Sequence, residues 1–219
     1  MRWMKWLPLL LVACGGSPAP EAPRADHAGH GGHAGHDGHA GHDGHAHHVA
    51  PPAGELPGGS VYRIDAAFTD QDGDAVRLGD FAGRPVHVAL VYTHCPSVCP
   101  RIVSDMTRIE DGLGEQADDV AFVLVSVDPA RDTPERLRAF AEERGLDTDR
   151  WTLLRGEDRD VRRIAAALGV QYRAIGGGDF AHSNLVTLLD ATGVVAHRQE
   201  GLGVEPGAAV DATRALLAR

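Results

Sequence analysis

The pattern of apolar and polar positions from about residue 61 onward predicts several strands. Two continuous apolar runs, VHVALVYT at 86–93 and VAFVLVSVD at 120–128, are typical of strands buried on both faces. WTLLRG predicts a short strand, and SNLVTLLDATGVVAHRQEG predicts two strands joined by a turn. Asp-Gly turn signals in YRIDAAFTDQDGDAVRLGDFAGRP predict a hairpin at the start of this region.

Apolar residues at helical spacing predict four helices, over residues of about 100–115, 133–145, 157–169 and 206–217. The second has Thr133 as its capping residue, Pro134 at its first position and Gly145 at its end. The third ends at a glycine, Gly169. Strands and helices that alternate, followed by a hairpin and a last helix, predict an α/β domain with a mixed central sheet over residues 61–219.

The first 13 residues, MRWMKWLPLLLVA, have a basic start and a short apolar run. The run is too short to span a bilayer core of ~30 Å as a helix, so it predicts an export signal. Its ending, LVAC, resembles the lipobox of bacterial lipoproteins, which implies cleavage before Cys14 and a lipid anchor on its sulfur. The alternative is a plain secretory signal in which Cys14 is incidental. In both cases we expect the domain to work outside the cytoplasm, in oxidising surroundings.

Residues 14–60 consist mainly of Gly, Ala, Pro and His, with few large apolar side chains. Such a segment cannot bury enough surface to offset the entropy of ordering it, so we predict a disordered tether. It contains nine histidines, seven of them at every third position: His27, His30, His33, His36, His39, His42, His45, His47 and His48. Imidazole binds Cu, Ni and Zn, so this tract is either a weak auxiliary metal-collecting arm or a hydrophilic spacer.

Composition limits the class of partner. The 219 residues include 43% hydrophobic residues, enough for a core over part of the chain, and carry a net charge of −10. Nucleic-acid binding depends on basic surface that neutralises phosphates, so the charge argues against a nucleic-acid partner.

Two cysteines, Cys95 and Cys99, occur in VYTHCPSVCPRI, directly after the first buried run. The pair alone is compatible with a structural disulfide, a redox pair or two ligands of a metal site. Sites in α/β sheets form where such strands end. Because Pro100 suits the first turn of a helix, we predict Cys99 as the N-cap residue, with its sulfur near free N–H groups that lower its pKa.

Two thiolates leave most metal sites incomplete, whereas Cu(I) is soft and accepts few ligands. His182 follows the glycine-rich stretch IGGGD, predicted to be a loop, and precedes a strand, so it is a candidate third ligand. His87 is predicted to pack in its strand and His197 to lie at the surface. His94 is not expected to be a ligand, because neighbouring side chains in a strand point to opposite faces.

Three segments carry a family resemblance. YTHCPSVCP, SVDPARDTPERL and the HSN at His182 resemble, in order, the signatures of the Sco/SenC copper proteins. The resemblance implies a thioredoxin-like fold, and a Cu(I) or Cu(II) ion held by Cys95, Cys99 and His182. It also places Asp128 at a position tied to copper binding or release, although an Asp-Pro strand terminator is the alternative. Asp132 and Thr133 are expected to start a helix rather than to belong to the site.

The family's usual role is to deliver copper, or to reduce the receiving cysteines, when the dinuclear copper centre of cytochrome c oxidase is assembled. The resemblance therefore implies a copper metallochaperone rather than an enzyme. Its partner would be the copper-receiving oxidase subunit or another periplasmic copper or thiol protein. A thiol–disulfide oxidoreductase that uses Cys95 and Cys99 remains an alternative, although C-x-x-x-C is one residue longer than the usual redox motif. A general copper buffer, with a structural disulfide and the histidine tract, is a further alternative.

Overall fold

The computed structural model describes residues 56–177 and 179–219. The predicted signal segment, the lipidation site Cys14 and the histidine tract lie outside the described residues. Contacts with the folded part begin shortly before residue 61. The Ser60 hydroxyl donates to the carbonyl of Thr192 at 2.5 Å, and the Val61 N–H donates to the carbonyl of Gly193 at 2.9 Å.

The described residues form a seven-stranded mixed sheet and a separate two-stranded sheet. The strands are β1 (Phe68–Thr69), β2 (Ala75–Val76), β3 (Val86–Val91), β4 (Ala121–Ser126), β5 (Trp151–Gly156), β6 (Tyr172–Gly176), β7 (Asp179–His182), β8 (Leu185–Leu189) and β9 (Val195–Glu200). The large sheet has the order β2-β1-β5-β4-β3-β8-β9, with β3, β4 and β5 parallel and β8 antiparallel to β3. The predicted mixed sheet and N-terminal hairpin are confirmed.

Four helices accompany the strands: α1 (Val98–Leu113), α2 (Pro134–Arg144), α3 (Asp158–Leu168) and α4 (Gly207–Leu217). The Thr133 hydroxyl caps α2 by accepting from the N–H of Arg136 at 3.3 Å. Gly145 and Gly169 end α2 and α3 with φ values of 65° and 81°, a backbone conformation that favours glycine. In the part of the chain that the structure describes, no helix is long and apolar enough to cross a membrane.

The core surrounds the central strands. Every residue of β3 and β4 is buried, which requires that both faces of the sheet are covered, as in other parallel sheets. α1 packs on β3 and β8, α4 on α1 and β9, and α2 and α3 on β5. The rings of Phe122 and Trp151 stack in this core with centroids 5.0 Å apart. The central strands are thus packed on both faces.

The helix after the cysteines begins earlier than predicted. α1 starts at Val98 with Ser97 as its N-cap residue, so Cys99 is its second residue, and the predicted N-cap role of Cys99 is wrong. Pro100 is then the third helical residue, where its missing N–H costs nothing because the first N–H groups of a helix lack helical partners. Residues before proline favour extended backbone, but here the N–H of Cys99 gains the sulfur of Cys95 at 3.3 Å.

The glycine-rich stretch before His182 also differs from the prediction. It was expected to be a loop, but β6 and β7 form an antiparallel hairpin that pairs Tyr172 with His182. Gly176 and Gly177 have φ values of 93° and 65°, so the glycines make the tight turn between two short strands. His182 is therefore the last residue of a strand, and its position is fixed by cross-strand pairing.

The turn between β8 and β9 fixes where the chain joins the domain. Leu189 of β8 pairs with Val86 at the start of β3, so this turn lies at the end of β3 opposite to the cysteines. Gly193 has a φ of 80°, and a Cβ there would lie 2.6 Å from the Tyr62 ring and 2.8 Å from the Ser60 Oγ. The close packing of residues 60–62 on this turn requires glycine.

We therefore predict that Gly193→Ala destabilises the protein by about 1–3 kcal/mol more than Gly73→Ala, because only the first adds a steric clash to backbone strain. Gly73 is the matched control, since its φ is 90° and nothing lies within 4 Å of a Cβ there. Urea unfolding followed by circular dichroism measures both. Equal losses for the two variants would contradict the close packing at Gly193.

Candidate metal site

The two cysteines lie in a turn and a helix start directly beyond β3. The N–H of Cys95 donates to the carbonyl of Tyr92 at 3.3 Å, which closes a turn with Thr93 and His94 at its centre. The sulfur of Cys95 accepts from the N–H of Cys99 at 3.3 Å, and the sulfur of Cys99 accepts from the N–H of Tyr92 at 3.5 Å. Both cysteines are free thiols; Cys95 is 7% exposed and Cys99 0%.

The pKa values of the two thiols are shifted in opposite directions. Burial favours the neutral thiol of Cys95, but hydrogen bonds from the N–H groups of Cys99 and Ser97 stabilise its thiolate and hold its pKa below the usual value. Burial raises the pKa of Cys99 far above its usual value, and the nearby charges of Cys95 and Asp132 act in the same direction. The sequence predicted a low pKa for Cys99; that was wrong, because the helix N-terminal N–H groups point to the sulfur of Cys95.

His182 lies against the cysteine pair. Its Nε2 is 3.6 Å from the sulfur of Cys99, and its Nδ1 is 3.1 Å from the carbonyl oxygen of Ser183. A carbonyl only accepts hydrogen bonds, so Nδ1 carries the hydrogen and the lone pair of Nε2 faces the sulfur. Burial lowers the pKa of His182, and the hydrogen bond to Ser183 opposes this only in part. The imidazole is thus neutral at pH 7. Its Nε2 lone pair, which is the group that binds a metal, is not used by a hydrogen atom.

Tyr92 joins the cysteine turn to the β6–β7 hairpin, a role that sequence reasoning missed. Its ring makes edge contacts with Phe180 at 5.3 Å and with His182 at 6.3 Å between centroids. Its hydroxyl accepts from the N–H of Phe180 at 3.4 Å and lies 3.5 Å from a carboxylate oxygen of Asp179. Burial raises the pKa of Tyr92 to about 12, so the hydroxyl stays protonated. The apolar run that ends at Tyr92 was the available signal, but it does not reveal the partner.

Asp132 lies beneath the cysteine turn with an exposed fraction of 0%. Its carboxylate accepts from the N–H of Thr93 at 3.1 Å, from the Thr93 hydroxyl at 2.6 Å and from the Ser126 hydroxyl at 2.5 Å. These bonds tie the end of β3 to the end of β4. Asp132 does precede the capping residue of α2, as predicted, but its side chain supports the site and does not only start a helix.

Asp128 is buried; its N–H donates to the Ser126 hydroxyl at 3.0 Å, its carboxylate accepts from the side chain of Arg131, and its carbonyl accepts from the N–H groups of Arg131 and Asp132. Ligand-type atoms of His94, Asp128 and Asp132 lie within 4.8 Å of one another. The carboxylates of Asp128 and Asp132 therefore lie close together beneath the turn. The charge of Asp128 is offset by Arg131.

The other three histidines of the described residues lie in three different environments. His87 is 1% exposed, and its Nε2 lies 2.9 Å from the Thr213 hydroxyl of α4. His197 is partly exposed on β9. His94 was excluded on the assumption that it lies in a strand; that assumption is wrong, because β3 ends at Val91 and His94 is in the turn, with a half-exposed side chain. The predicted packing of His87 is confirmed.

The donor set fits copper. Two cysteine sulfurs and a neutral imidazole nitrogen are the soft and borderline ligands that Cu(I) prefers, and the contacts of Cys99 reach both other residues. The lowered pKa of Cys95 and the tautomer of His182 leave a readily deprotonated sulfur and a nitrogen lone pair, the forms in which these side chains bind metals.

A protein-family model described as SCO1/SenC matches residues 58–218. The SCO1 protein homolog of Bacillus subtilis is 34% identical over 89 residues, which cover 41% of this chain and 46% of that relative, about half its length. The solved SCO1/SenC family lipoprotein from Bacillus anthracis is similar with 28% identity and a TM-score of 0.64, covering 69% of this chain and 92% of the other.

The structure of Bradyrhizobium japonicum ScoI with copper bound is similar with 27% identity and a TM-score of 0.59, covering 70% of this chain and 96% of that one. The predicted thioredoxin-like fold is confirmed by these similarities. Since the family model matches well over half of the residues, the chain belongs to the SCO1/SenC family.

Proposed function

We propose that this protein is a copper chaperone that binds one copper ion through Cys95, Cys99 and His182. The observation that carries the proposal is the Nε2 of His182, which lies 3.6 Å from the sulfur of Cys99 with its lone pair toward it. The similarity to a Sco protein with copper bound supports the same metal here. Membership of the SCO1/SenC family supports delivery to the dinuclear copper centre of cytochrome c oxidase as the purpose of binding.

The chemistry of binding follows from the two thiols. The pKa of Cys95 lies below its usual value, so this thiol gives up its proton more readily, whereas Cys99 must release a proton to solvent when copper binds, because burial holds its pKa high. Cu(I) is satisfied by the two sulfurs and the imidazole, while Cu(II) would add a further ligand such as water or a carboxylate. A role of Asp128 in copper binding or release, which the resemblance implies, would require its carboxylate to separate from Arg131, with which it is paired.

The predicted N-terminal segments support a location outside the cytoplasm. Residues 1–13 are proposed as an export signal, Cys14 as the lipidated residue and residues 14–60 as a tether whose histidine tract adds weaker copper sites. A similar solved structure is described as a lipoprotein, which supports an extracytoplasmic position at a membrane. Residues 61–219 then form the copper-binding domain.

A second function is favoured by the unequal thiols. The thiol of Cys95 has the lower pKa and keeps 7% exposure, whereas the thiol of Cys99 is fully buried, and this difference suits an attacking and a resolving cysteine. Cys95 would attack a disulfide of the partner's copper-site cysteines, and Cys99 would then displace the mixed disulfide. The partner gains two electrons as a dithiol, and this protein is left with a Cys95–Cys99 disulfide.

Replacement of His182 separates the two functions. We expect His182→Ala to lower the Cu(I) affinity of the cysteine site at least about 100-fold, because one of three ligands is lost, and to leave disulfide reduction within about twofold. Anaerobic competition with a Cu(I) chelator, followed by the near-ultraviolet thiolate-to-copper absorption, measures affinity without a signal from the histidine tract. His197→Ala is the matched control. Unchanged affinity in His182→Ala would exclude the proposed ligand set.

The unequal thiols lead to a further prediction. At pH 7 we expect iodoacetamide to modify Cys95 at least about tenfold faster than Cys99 in the folded protein, because only Cys95 has a lowered pKa. Peptide mass spectrometry after short reaction times gives both rates. In urea, where burial and the backbone hydrogen bonds are lost, the two rates should become similar. Faster modification of Cys99 in the folded protein would contradict the assignment of roles.

A further inference from the structure

His94 is a half-exposed histidine that directly precedes Cys95 in the cysteine turn. It occupies the centre of the turn that the N–H of Cys95 closes on Tyr92. Its side chain is 47% exposed, whereas Cys99 is 0% and Cys95 7% exposed. His94 is therefore an accessible imidazole next to a site whose sulfurs are almost fully covered.

The contacts of His94 fix its tautomer. Its Nδ1 is 3.1 Å from the Thr93 hydroxyl oxygen and 3.7 Å from a carboxylate oxygen of Asp132. The single hydrogen of that hydroxyl is donated to Asp132 at 2.6 Å, so the hydroxyl accepts from Nδ1 and the neutral imidazole carries its hydrogen there. The lone pair is thus on Nε2, the same tautomer as in His182.

This arrangement is characteristic of metal-binding histidines. Their ligating nitrogen is set by a hydrogen bond from the other ring nitrogen to a carboxylate or another acceptor, which also orients the ring. Asp132 holds Thr93 through both its N–H and its hydroxyl, so one buried carboxylate fixes the turn and the imidazole together. His94 differs from His182 in that its contacts are with Thr93 and Asp132 and not with a cysteine sulfur.

We infer that His94 is a transient copper ligand through which Cu(I) reaches and leaves the cysteine site. The inference rests on the proposed function. A bond from Nε2 to copper forms as a ligand of the donor leaves; the Cys95 thiolate then replaces the imidazole, and the Cys99 thiol and His182 complete the transfer as the thiol proton passes to solvent. Copper remains Cu(I) throughout, so no electron is transferred, and release follows the same steps in reverse.

The experiment compares the full-length protein with its His94→Gln variant. Cu(I) is supplied anaerobically as its bicinchoninate complex, and the thiolate-to-copper absorption in the near ultraviolet reports arrival at the cysteines. We expect His94→Gln to slow this arrival about tenfold and to leave the equilibrium affinity within about twofold. His197→Gln, which removes another partly exposed histidine, is the matched control and should match the wild type in both measurements.

Three results are distinguishable. An unchanged rate in His94→Gln would overturn the inference. A fall in equilibrium affinity comparable to that of His182→Ala would also overturn it, since His94 would then be a permanent ligand. If the wild type itself develops no thiolate-to-copper absorption, the proposed copper function fails and the role of His94 fails with it.

Discussion

The site depends on the buried carboxylate of Asp132. A buried charge is tolerated only if it is fully hydrogen bonded, and Asp132 obtains its partners from Thr93 at the end of β3 and Ser126 at the end of β4. The same bonds hold the turn that carries Cys95. The negative charge also disfavours a second thiolate at Cys99. One satisfied carboxylate thus holds the shape of the cysteine turn, and it adds to the burial that raises the pKa of Cys99.

The unequal pKa values of the two thiols give the protein two chemical options on one pair of sulfurs. The sulfur of Cys95 accepts hydrogen bonds from N–H groups at the start of α1, and the sulfur of Cys99 is buried next to His182. Together with His182, the pair is the ligand set that we propose for copper. Without it, the same thiols are a nucleophile and a resolving group. The ring of Tyr92, packed on the hairpin that carries His182, couples the turn to the imidazole and so favours the metal-binding option.

Periodicity predicted the strands and helices that form the sheet, because burial on both faces and helix caps leave local signals in sequence. The cysteine pair was also visible locally, but His182 was one of several candidates until the family resemblance singled it out. The β6–β7 hairpin was missed because glycines at a tight turn look like a loop. The N-cap assignment of Cys99 and the placement of His94 in a strand were both wrong, for a common cause. Which atoms a turn brings together is decided by tertiary hydrogen bonds, which a residue-by-residue pattern does not contain.

The docking of residues 60–62 on the β8–β9 turn distinguishes one end of the domain from the other. The chain joins the domain at the start of β3, whereas the cysteines follow its end, six residues and about 20 Å further along the strand. The cysteine turn and the point at which the chain enters the described domain therefore lie at opposite ends of β3. A partner protein that docks on the cysteine turn therefore leaves the contacts of residues 60–62 with the β8–β9 turn undisturbed.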